Sequence, residues 1–145
     1  MYHYRKITVL GDGGWGTTLA ILFHNKGFKV TLWSAFADYA WVLNKKRINP
    51  NFLNGIKIPK SIEITSDLSE ALVCDLAILA VPSQYLRSVL LKAVKFYDKR
   101  IAVVSVVKGI ENGTLLRMSE VIKEVWHSQQ IAVLSGPTIA MEVAR

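Results

Sequence analysis

The chain is poor in the residues that would place it in several large protein classes, since its 145 residues include one cysteine, Cys74, and four prolines. A single cysteine excludes an intramolecular disulfide and is typical of a reducing compartment. No apolar run approaches the ~20 residues that a membrane-spanning helix needs. The N-terminal stretch "MYHYRKITVLG" enters a predicted strand at once and has no signal-peptide pattern. We therefore expect a cytoplasmic protein without a membrane span.

Acidic residues are outnumbered by basic ones, 11 against 18, which gives a formal net charge of +7. The basic residues are dispersed except at residues 45–47 and within residues 92–100. Such groups usually form the solvated faces of helices. The chain also lacks a helix-turn-helix pattern and strand motifs that interleave aromatic and basic residues. The charge therefore does not identify a partner, and we do not expect nucleic acid to be one.

Short, mostly apolar segments alternate with helical ones along the chain. The predicted strands lie at residues 7–10, 28–33, 62–65, 74–82, 101–107 and 131–136. Most of them are apolar throughout, which indicates burial on both faces, as in parallel sheets. Helices are predicted at residues 14–26, 38–47, 67–72 (after a cap at Ser66 or Asp67), 83–97 and 114–126, and a loop at residues 48–59. The pattern predicts an α/β fold, a doubly wound, Rossmann-like parallel sheet, as a single nucleotide-binding domain over residues 1–145.

The first strand runs into "GDGGWG", in which Gly11, Gly13 and Gly16 have the spacing of the dinucleotide-binding fingerprint. In this motif Gly11 permits the tight turn and Gly13 lets a pyrophosphate approach the backbone, while Gly16 allows close packing of the helix. The anion then lies at the positive end of the helix dipole. We expect NAD or NADP as the cofactor. The alternative is a glycine-rich turn that serves packing alone.

The end of the second strand normally distinguishes the two cofactors. NAD-binding domains often carry an acidic residue there, and NADP-binding domains an arginine. Here the stretch reads "TLWSAFAD", and Asp38 comes about one turn too late. With neither residue in place, we expect weak discrimination between NAD and NADP.

Three later strand ends also carry polar or special residues. "AVPSQY" places Ser83 and Tyr85 at the start of a helix, where they either begin the helix or face the cofactor. "SVVKG" places Lys108 directly after a buried strand. "VLSGPT", at residues 133–138, suggests a second helix start that attracts anions. Two such helix starts and a lysine suggest a phosphorylated substrate beside the dinucleotide.

The stretches "GDGGWGT", "NPNFLNGIKIP", "AVPSQYLR", "KGIE" and "LSGPTIAMEVA" together resemble the N-terminal domain of bacterial NAD(P)-dependent glycerol-3-phosphate dehydrogenases. The resemblance runs in order over essentially all 145 residues. It implies hydride transfer between a nicotinamide and dihydroxyacetone phosphate, giving sn-glycerol 3-phosphate for phospholipid synthesis. It implies no metal, and we expect the parent enzyme to be a homodimer.

The resemblance and the glycine spacing together predict the site residues. Lys108 is expected to contact both cofactor and substrate and to stabilise the developing alkoxide. The expected substrate contacts are Lys108, Gly136 and Thr138. The expected cofactor contacts are Gly11, Gly13, Gly14, Trp15, Gly16, Ala35, Phe36, Tyr85, Lys108 and Ala140.

The chain departs from the family pattern in two places. It carries Asp12 where members usually have a small neutral residue, and Ala35-Phe36 where many have a His-Arg pair. A carboxylate at position 12 would repel the pyrophosphate unless it turns outward to solvent.

Family members also continue into a second, helical domain that supplies the proton-donating lysine. We therefore expect no catalytic residue in this chain and no turnover by the chain alone. The alternatives are another dehydrogenase of the same fold and a non-enzymatic nucleotide-binding module.

Overall fold

Six of the strands form one parallel sheet in a computed structural model, which describes residues 4–136 and 138–144. The strands are β1 (Lys6–Leu10), β2 (Lys29–Trp33), β3 (Ile48–Asn49), β4 (Leu53–Lys57), β5 (Glu63–Thr65), β6 (Leu76–Leu79), β7 (Ala102–Ser105) and β8 (Ile131–Val133). The helices are α1 (Gly14–Asn25), α2 (Ala37–Lys46), α3 (Leu68–Ala71), α4 (Ser83–Ala93), α5 (Met118–Trp126) and α6 (Ala140–Val143).

The strand order in the sheet is β5-β2-β1-β6-β7-β8, and every neighbouring pair is parallel. The chain builds outward from β1 through β2 to β5 and then crosses back to place β6 on the other side of β1. The order therefore reverses between β1 and β6. The predicted doubly wound, Rossmann-like fold is confirmed, and ligands of such sheets bind at the carboxyl ends of the strands at this reversal.

Each face of the sheet is covered by its own apolar core. Leu10 and Leu79 face a cluster built with α4 and α5, in which Trp126 is 1% exposed. Neighbouring strand residues Val9 and Ile78 face the opposite cluster, built with α1 and α2. Successive strand residues point to opposite faces, so a strand buried on both sides is mostly apolar, and the buried Thr8, Thr31 and Ser105 are the polar exceptions in β1, β2 and β7. This explains the continuous apolar runs of the sequence.

The structure corrects the predicted elements in three places. The segment predicted as a loop at residues 48–59 contains the antiparallel hairpin of β3 and β4. Helix α5 begins at Met118 instead of residue 114, because Leu115 has a φ of 60°, which no right-handed helix accommodates. Helix α4 ends at Ala93 and continues only as a 3-10 turn over Val94–Phe96.

The predicted cap of α3 is confirmed, and a glycine follows the end of α1. Asp67 caps α3, since its Oδ1 accepts a hydrogen bond from the Ser69 amide at 2.7 Å. Gly27 follows the last turn of α1 with a φ of 88°, the conformation that favours glycine after a helix. Within the part of the chain that the structure describes, none of the helices has the length and apolar character to cross a membrane.

Candidate functional site

The loop between β1 and α1 is shaped by two glycines that face other backbone segments. Gly11 has a φ of 122°, and a Cβ there would lie 2.7 Å from the Ala80 carbonyl carbon at the end of β6. A Cβ on Gly16 would overlap the carbonyl oxygen of Gly11. The backbone therefore requires glycine at both positions, and the loop lies flat against the ends of the two central strands.

Gly13 and Gly14 differ from these two in what they face. A Cβ on Gly13 would meet nothing within 4 Å, so this position opens onto free space. A Cβ on Gly14 would lie 2.8 Å from the Phe52 carbonyl oxygen of the hairpin. Gly13 is thus the glycine of the loop that leaves room for a ligand.

The N-terminus of α1 has the features of an anion site. Gly13 is its N-cap and contributes no side-chain hydrogen bond, and the first turn contains no acidic residue. The first amides of a helix have no acceptor within the helix, and its dipole is positive at this end. The twelve-residue helix therefore presents free N–H groups to an anion.

A cleft of about 390 Å³ opens beside this helix end. Its walls come from the start of α1, from the chain segments that follow β6 and β7, and from the start of α6. Its lining residues are Gly13, Gly14, Trp15, Gly16, Ala80, Val81, Pro82, Ser83, Val106, Val107, Lys108, Thr138 and Ala140. The cleft lies where the strand order reverses, which is the binding position that the topology predicts.

A second cleft of about 540 Å³ lies next to the first. It is lined by Ser105, Val107, Lys108, Gly109, Arg117, Met118, Ser119, Val133, Ser135 and Gly136. Lys108 and Val107 belong to the lining of both clefts. Lys108 is exposed and follows the end of β7, directly before Gly109, whose φ is 104°. A single ammonium group is thus available to molecules in either cleft.

Asn49 ties the hairpin to the glycine loop, and the sequence reasoning assigned it no role. It is fully buried, and its Nδ2 donates to the Asp12 carbonyl oxygen at 2.7 Å and to Thr17 Oγ1 at 2.8 Å. Its Oδ1 accepts from Tyr39 Oη at 2.7 Å and from the Phe52 amide at 3.2 Å. The only signal in the sequence was its place in "NPNFLNGIKIP", one of the stretches that carry the family resemblance.

The Asp12 side chain turns inward, contrary to the outward orientation that would relieve repulsion of a pyrophosphate. Its Oδ2 is buried and has no hydrogen-bond partner among the residues that the structure describes. Burial raises the pKa of this carboxyl, although the nearby Ser34 side chain acts in the opposite direction. The Asp12 charge also contributes to the raised pKa of Tyr39, after burial as the larger cause. Asp12 follows Gly11, whose amide donates to the Trp33 carbonyl oxygen at 3.1 Å, so this residue lies beside the end of β2.

Comparison with known proteins agrees with this geometry. The family described as "NAD-dependent glycerol-3-phosphate dehydrogenase N-terminus" matches residues 6–145. The chain belongs to this family. The family is NAD(P)-dependent, which confirms the predicted cofactor, NAD or NADP.

Proteins similar to this chain are named glycerol-3-phosphate dehydrogenases. A Corynebacterium glutamicum protein named glycerol-3-phosphate dehydrogenase (NAD(P)+) is 44% identical over 142 residues, which cover 96% of this chain and 43% of that protein. The crystal structure of glycerol-3-phosphate dehydrogenase from Coxiella burnetii matches with a TM-score of 0.90 at 30% identity, over 97% of this chain and 43% of that one. The Saccharomyces cerevisiae enzyme matches with a TM-score of 0.82 at 28% identity, over 97% and 44%. The chain therefore spans less than half the length of these relatives.

The structure brings most of the residues predicted for this dehydrogenase family together. The first cleft contains Gly13, Gly14, Trp15, Gly16, Lys108, Thr138 and Ala140, and the second contains Lys108 and Gly136. Four others line neither cleft. Gly11 is buried at the start of the loop, Ala35 and Phe36 follow β2 on the exposed surface, and Tyr85 is 64% exposed in the first turn of α4. Their predicted contacts with the cofactor stay predictions.

The predicted second anion site at residues 135–138 does not have the expected helix. Helix α6 begins only at Ala140 and has four residues, too few to build an appreciable dipole. Pro137 lies outside the described residues. Within the described ranges 4–136 and 138–144, no cluster of three or more His, Cys, Asp or Glu side chains is placed to hold a metal ion.

Proposed function

We propose that the chain is the NAD(P)-binding half of an enzyme that interconverts dihydroxyacetone phosphate and sn-glycerol 3-phosphate, a precursor for phospholipid synthesis. The observation that carries this proposal is the position of Lys108 on the wall shared by the two clefts. An ammonium group there can contact both a cofactor in the first cleft and a second small molecule in the other. Membership of the dehydrogenase family supports the same assignment.

The residues of the first cleft fit a dinucleotide. Gly13 leaves open space beside the N-terminus of α1, and the first turn of that helix has no acidic residue to compete for its amides. The free N–H groups and the helix dipole suit a pyrophosphate. Trp15 and Ala140 also line this cleft and would contact the cofactor.

The nicotinamide, when bound, supplies the hydride that adds to the carbonyl carbon of dihydroxyacetone phosphate. The carbonyl oxygen then becomes an alkoxide, so a fixed cation stabilises the transition state more than the ground state. We assign this role to Lys108, with Gly136 and Thr138 holding the substrate. The proton that completes the hydroxyl group comes from the lysine that the family resemblance places in the second domain. The whole enzyme is proposed to be cytoplasmic and homodimeric.

Direct titration tests the cofactor half of this proposal. Isothermal titration calorimetry of the 145-residue chain should detect binding of NADH, NADPH or both. The variant Gly13→Ala should bind more weakly, because its methyl group would occupy space that the ligand needs. A folded chain that binds neither nucleotide would contradict the assignment of the cleft.

Turnover tests the reaction. We would fuse the chain to the part of the Corynebacterium glutamicum relative that it does not cover, and follow loss of the absorbance of the reduced nicotinamide. The fusion should oxidise the cofactor with dihydroxyacetone phosphate and not with dihydroxyacetone, while the unfused chain should bind the cofactor without turnover. A fusion that binds the cofactor and reduces only 2-keto acids would indicate another dehydrogenase. One that reduces nothing would favour a non-enzymatic binding module.

A further inference from the structure

The segment that follows Lys108 turns back on itself and closes at the start of α5. Gly109 has a φ of 104°, so the chain turns directly after the lysine. Ile110 then forms an isolated antiparallel bridge with Arg117, the residue before α5. Residues 109–117 are called the lysine loop below. Because Lys108 directly precedes this loop, the position of the loop helps to determine where the Lys108 ammonium group lies.

The lysine loop has little buried surface of its own. Of the described residues 108–115, only Glu111 is partly buried, and the others are exposed. A segment with few buried side chains is kept in place by its hydrogen bonds and ion pairs, or else it moves. The contacts that fix the loop must therefore come from neighbouring elements.

Gln84, in the first turn of α4, binds two backbone groups of the lysine loop. Its Nε2 donates to the Ile110 carbonyl oxygen at 2.9 Å, and its Oε1 accepts from the Asn112 amide at 2.9 Å. Ser83 packs close to the same segment, since a Cβ on Gly109 would lie 3.3 Å from Ser83 Oγ. The start of α4 is thus fitted against the start of the loop.

Arg87, one turn further along α4, holds the partly buried carboxylate of the loop. Its Nε and Nη2 donate to the two carboxylate oxygens of Glu111 at 2.8 and 2.9 Å. Its Nη1 donates to Glu124 of α5 at 2.9 Å. An arginine that binds both oxygens of one carboxylate fixes its orientation as well as its distance. Gln84 and Arg87 therefore attach the loop to α4 through its backbone and through its acidic side chain.

The same helix also forms part of the first cleft. Helix α4 begins at Ser83, which lines that cleft together with Lys108. Gln84 and Arg87 themselves line neither cleft. Any effect of these two side chains on a bound molecule would therefore pass through the residues that they hold.

We propose that Gln84 and Arg87 are positioning residues, which hold the lysine loop on α4 and thereby keep the Lys108 ammonium group at the wall shared by the two clefts. The inference rests on the proposed function, since it requires a cofactor and a substrate beside Lys108. A reacting group misplaced by about 1 Å can lose about 100-fold in rate. Loss of either side chain should therefore weaken the action of Lys108 without removing the lysine.

The first test follows Lys108 directly and needs no turnover. The lysine amines of the chain are acetylated with and without NADH, and mass spectrometry reads the modification of each lysine. With NADH at about ten times its dissociation constant, about a tenth of the chain is free of ligand, so acetylation of Lys108 should slow about tenfold in wild type. At the same occupancy, the slowing should fall below about threefold in Gln84→Ala and in Arg87→Ala, because the displaced ammonium group no longer lies against the cofactor.

Arg100→Ala is the matched control, because Arg100 forms its ion pair with the exposed Asp98, outside the lysine loop. Its Lys108 should be protected as in wild type. Circular dichroism checks folding, and Gln84 is exposed, so its replacement should leave the chain folded. Equal protection in wild type and in the folded variants, or no protection in wild type that binds NADH, would overturn the inference. A chain that does not bind NADH would overturn the proposed function and this inference with it.

The second test separates positioning from a merely structural role. In the active fusion, Arg87→Ala should lower kcat/KM for dihydroxyacetone phosphate about tenfold, with the dissociation constant of NADH changed less than about twofold. In a Lys108→Ala background, the same substitution should change kcat/KM less than about twofold, since the group that it positions is already absent. Equal losses in the two backgrounds would show that Arg87 acts independently of Lys108, and the inference would fail.

Discussion

Replacing Asn49 by alanine should destabilise the chain and loosen the glycine loop together. The substitution removes hydrogen bonds to the Asp12 carbonyl, Thr17 Oγ1, Tyr39 Oη and the Phe52 amide. A buried polar group left without its partner costs about 1–3 kcal/mol. Asp12 and Thr17 still bond to each other at 3.3 Å, and water can reach Tyr39 and Phe52, which are partly exposed. We therefore expect a loss of about 2–4 kcal/mol in the free energy of unfolding.

A loss of this size leaves the protein folded, because domains are stable by about 5–15 kcal/mol. Urea denaturation followed by tryptophan fluorescence measures it, since the chain has four tryptophans. Calorimetric titration of the same variant should show the dissociation constant of NADH rising about tenfold, about 1.4 kcal/mol, because the loop loses its anchor.

Asn54→Ala is the control for this variant, since Asn54 is an exposed residue of the same hairpin. Exposed substitutions of this kind usually change stability by less than about 0.5 kcal/mol. If Asn49→Ala were as stable as Asn54→Ala, the hydrogen bonds of Asn49 would not hold the loop.

The remaining predictions concern the glycine loop, the shared lysine and the buried carboxyl group. Gly16→Ala should lower thermal stability with or without cofactor, because its Cβ meets backbone, whereas Gly13→Ala should keep its melting temperature and lose only cofactor affinity. In the active fusion, Lys108→Ala should lower kcat/KM at least ~100-fold, with a much smaller effect on cofactor affinity. The control Lys123→Ala, on the exposed face of α5, should leave both quantities unchanged. A near-normal kcat/KM for Lys108→Ala would show that Lys108 is a surface residue without a role in the reaction. The raised pKa of Asp12 means that its charged form destabilises the fold above that pKa, so Asp12→Asn should be more stable than wild type at neutral pH. This advantage should shrink as the pH falls toward the unfolded value of 3.8, and an advantage independent of pH in urea titrations would contradict the burial of the charge.

The sequence by itself determined the sheet and the place of the first cleft. The mostly apolar central strands predicted burial on both faces, and the helices between the strands predicted parallel crossovers. The edge strand β8 is the exception, since its apolar Val133 is exposed. The spacing of Gly11, Gly13 and Gly16 predicted a ligand loop after β1, because this spacing between a strand and a helix is the dinucleotide-binding fingerprint. These are properties of short segments, so the amino-acid sequence alone shows them.

Only the tertiary structure decided how distant segments meet at that loop. Asn49 and Asp12 are 37 positions apart, and nothing in either stretch indicates that one holds the carbonyl of the other. The inward turn of the Asp12 carboxyl group depends on that contact and on the packing of β1 beside β2. Lys108 belongs to both clefts because the chain after β7 separates them, a relation set by the order of strands in the sheet. Long-range contacts follow from the packing of the whole core, so local sequence patterns do not encode them one by one.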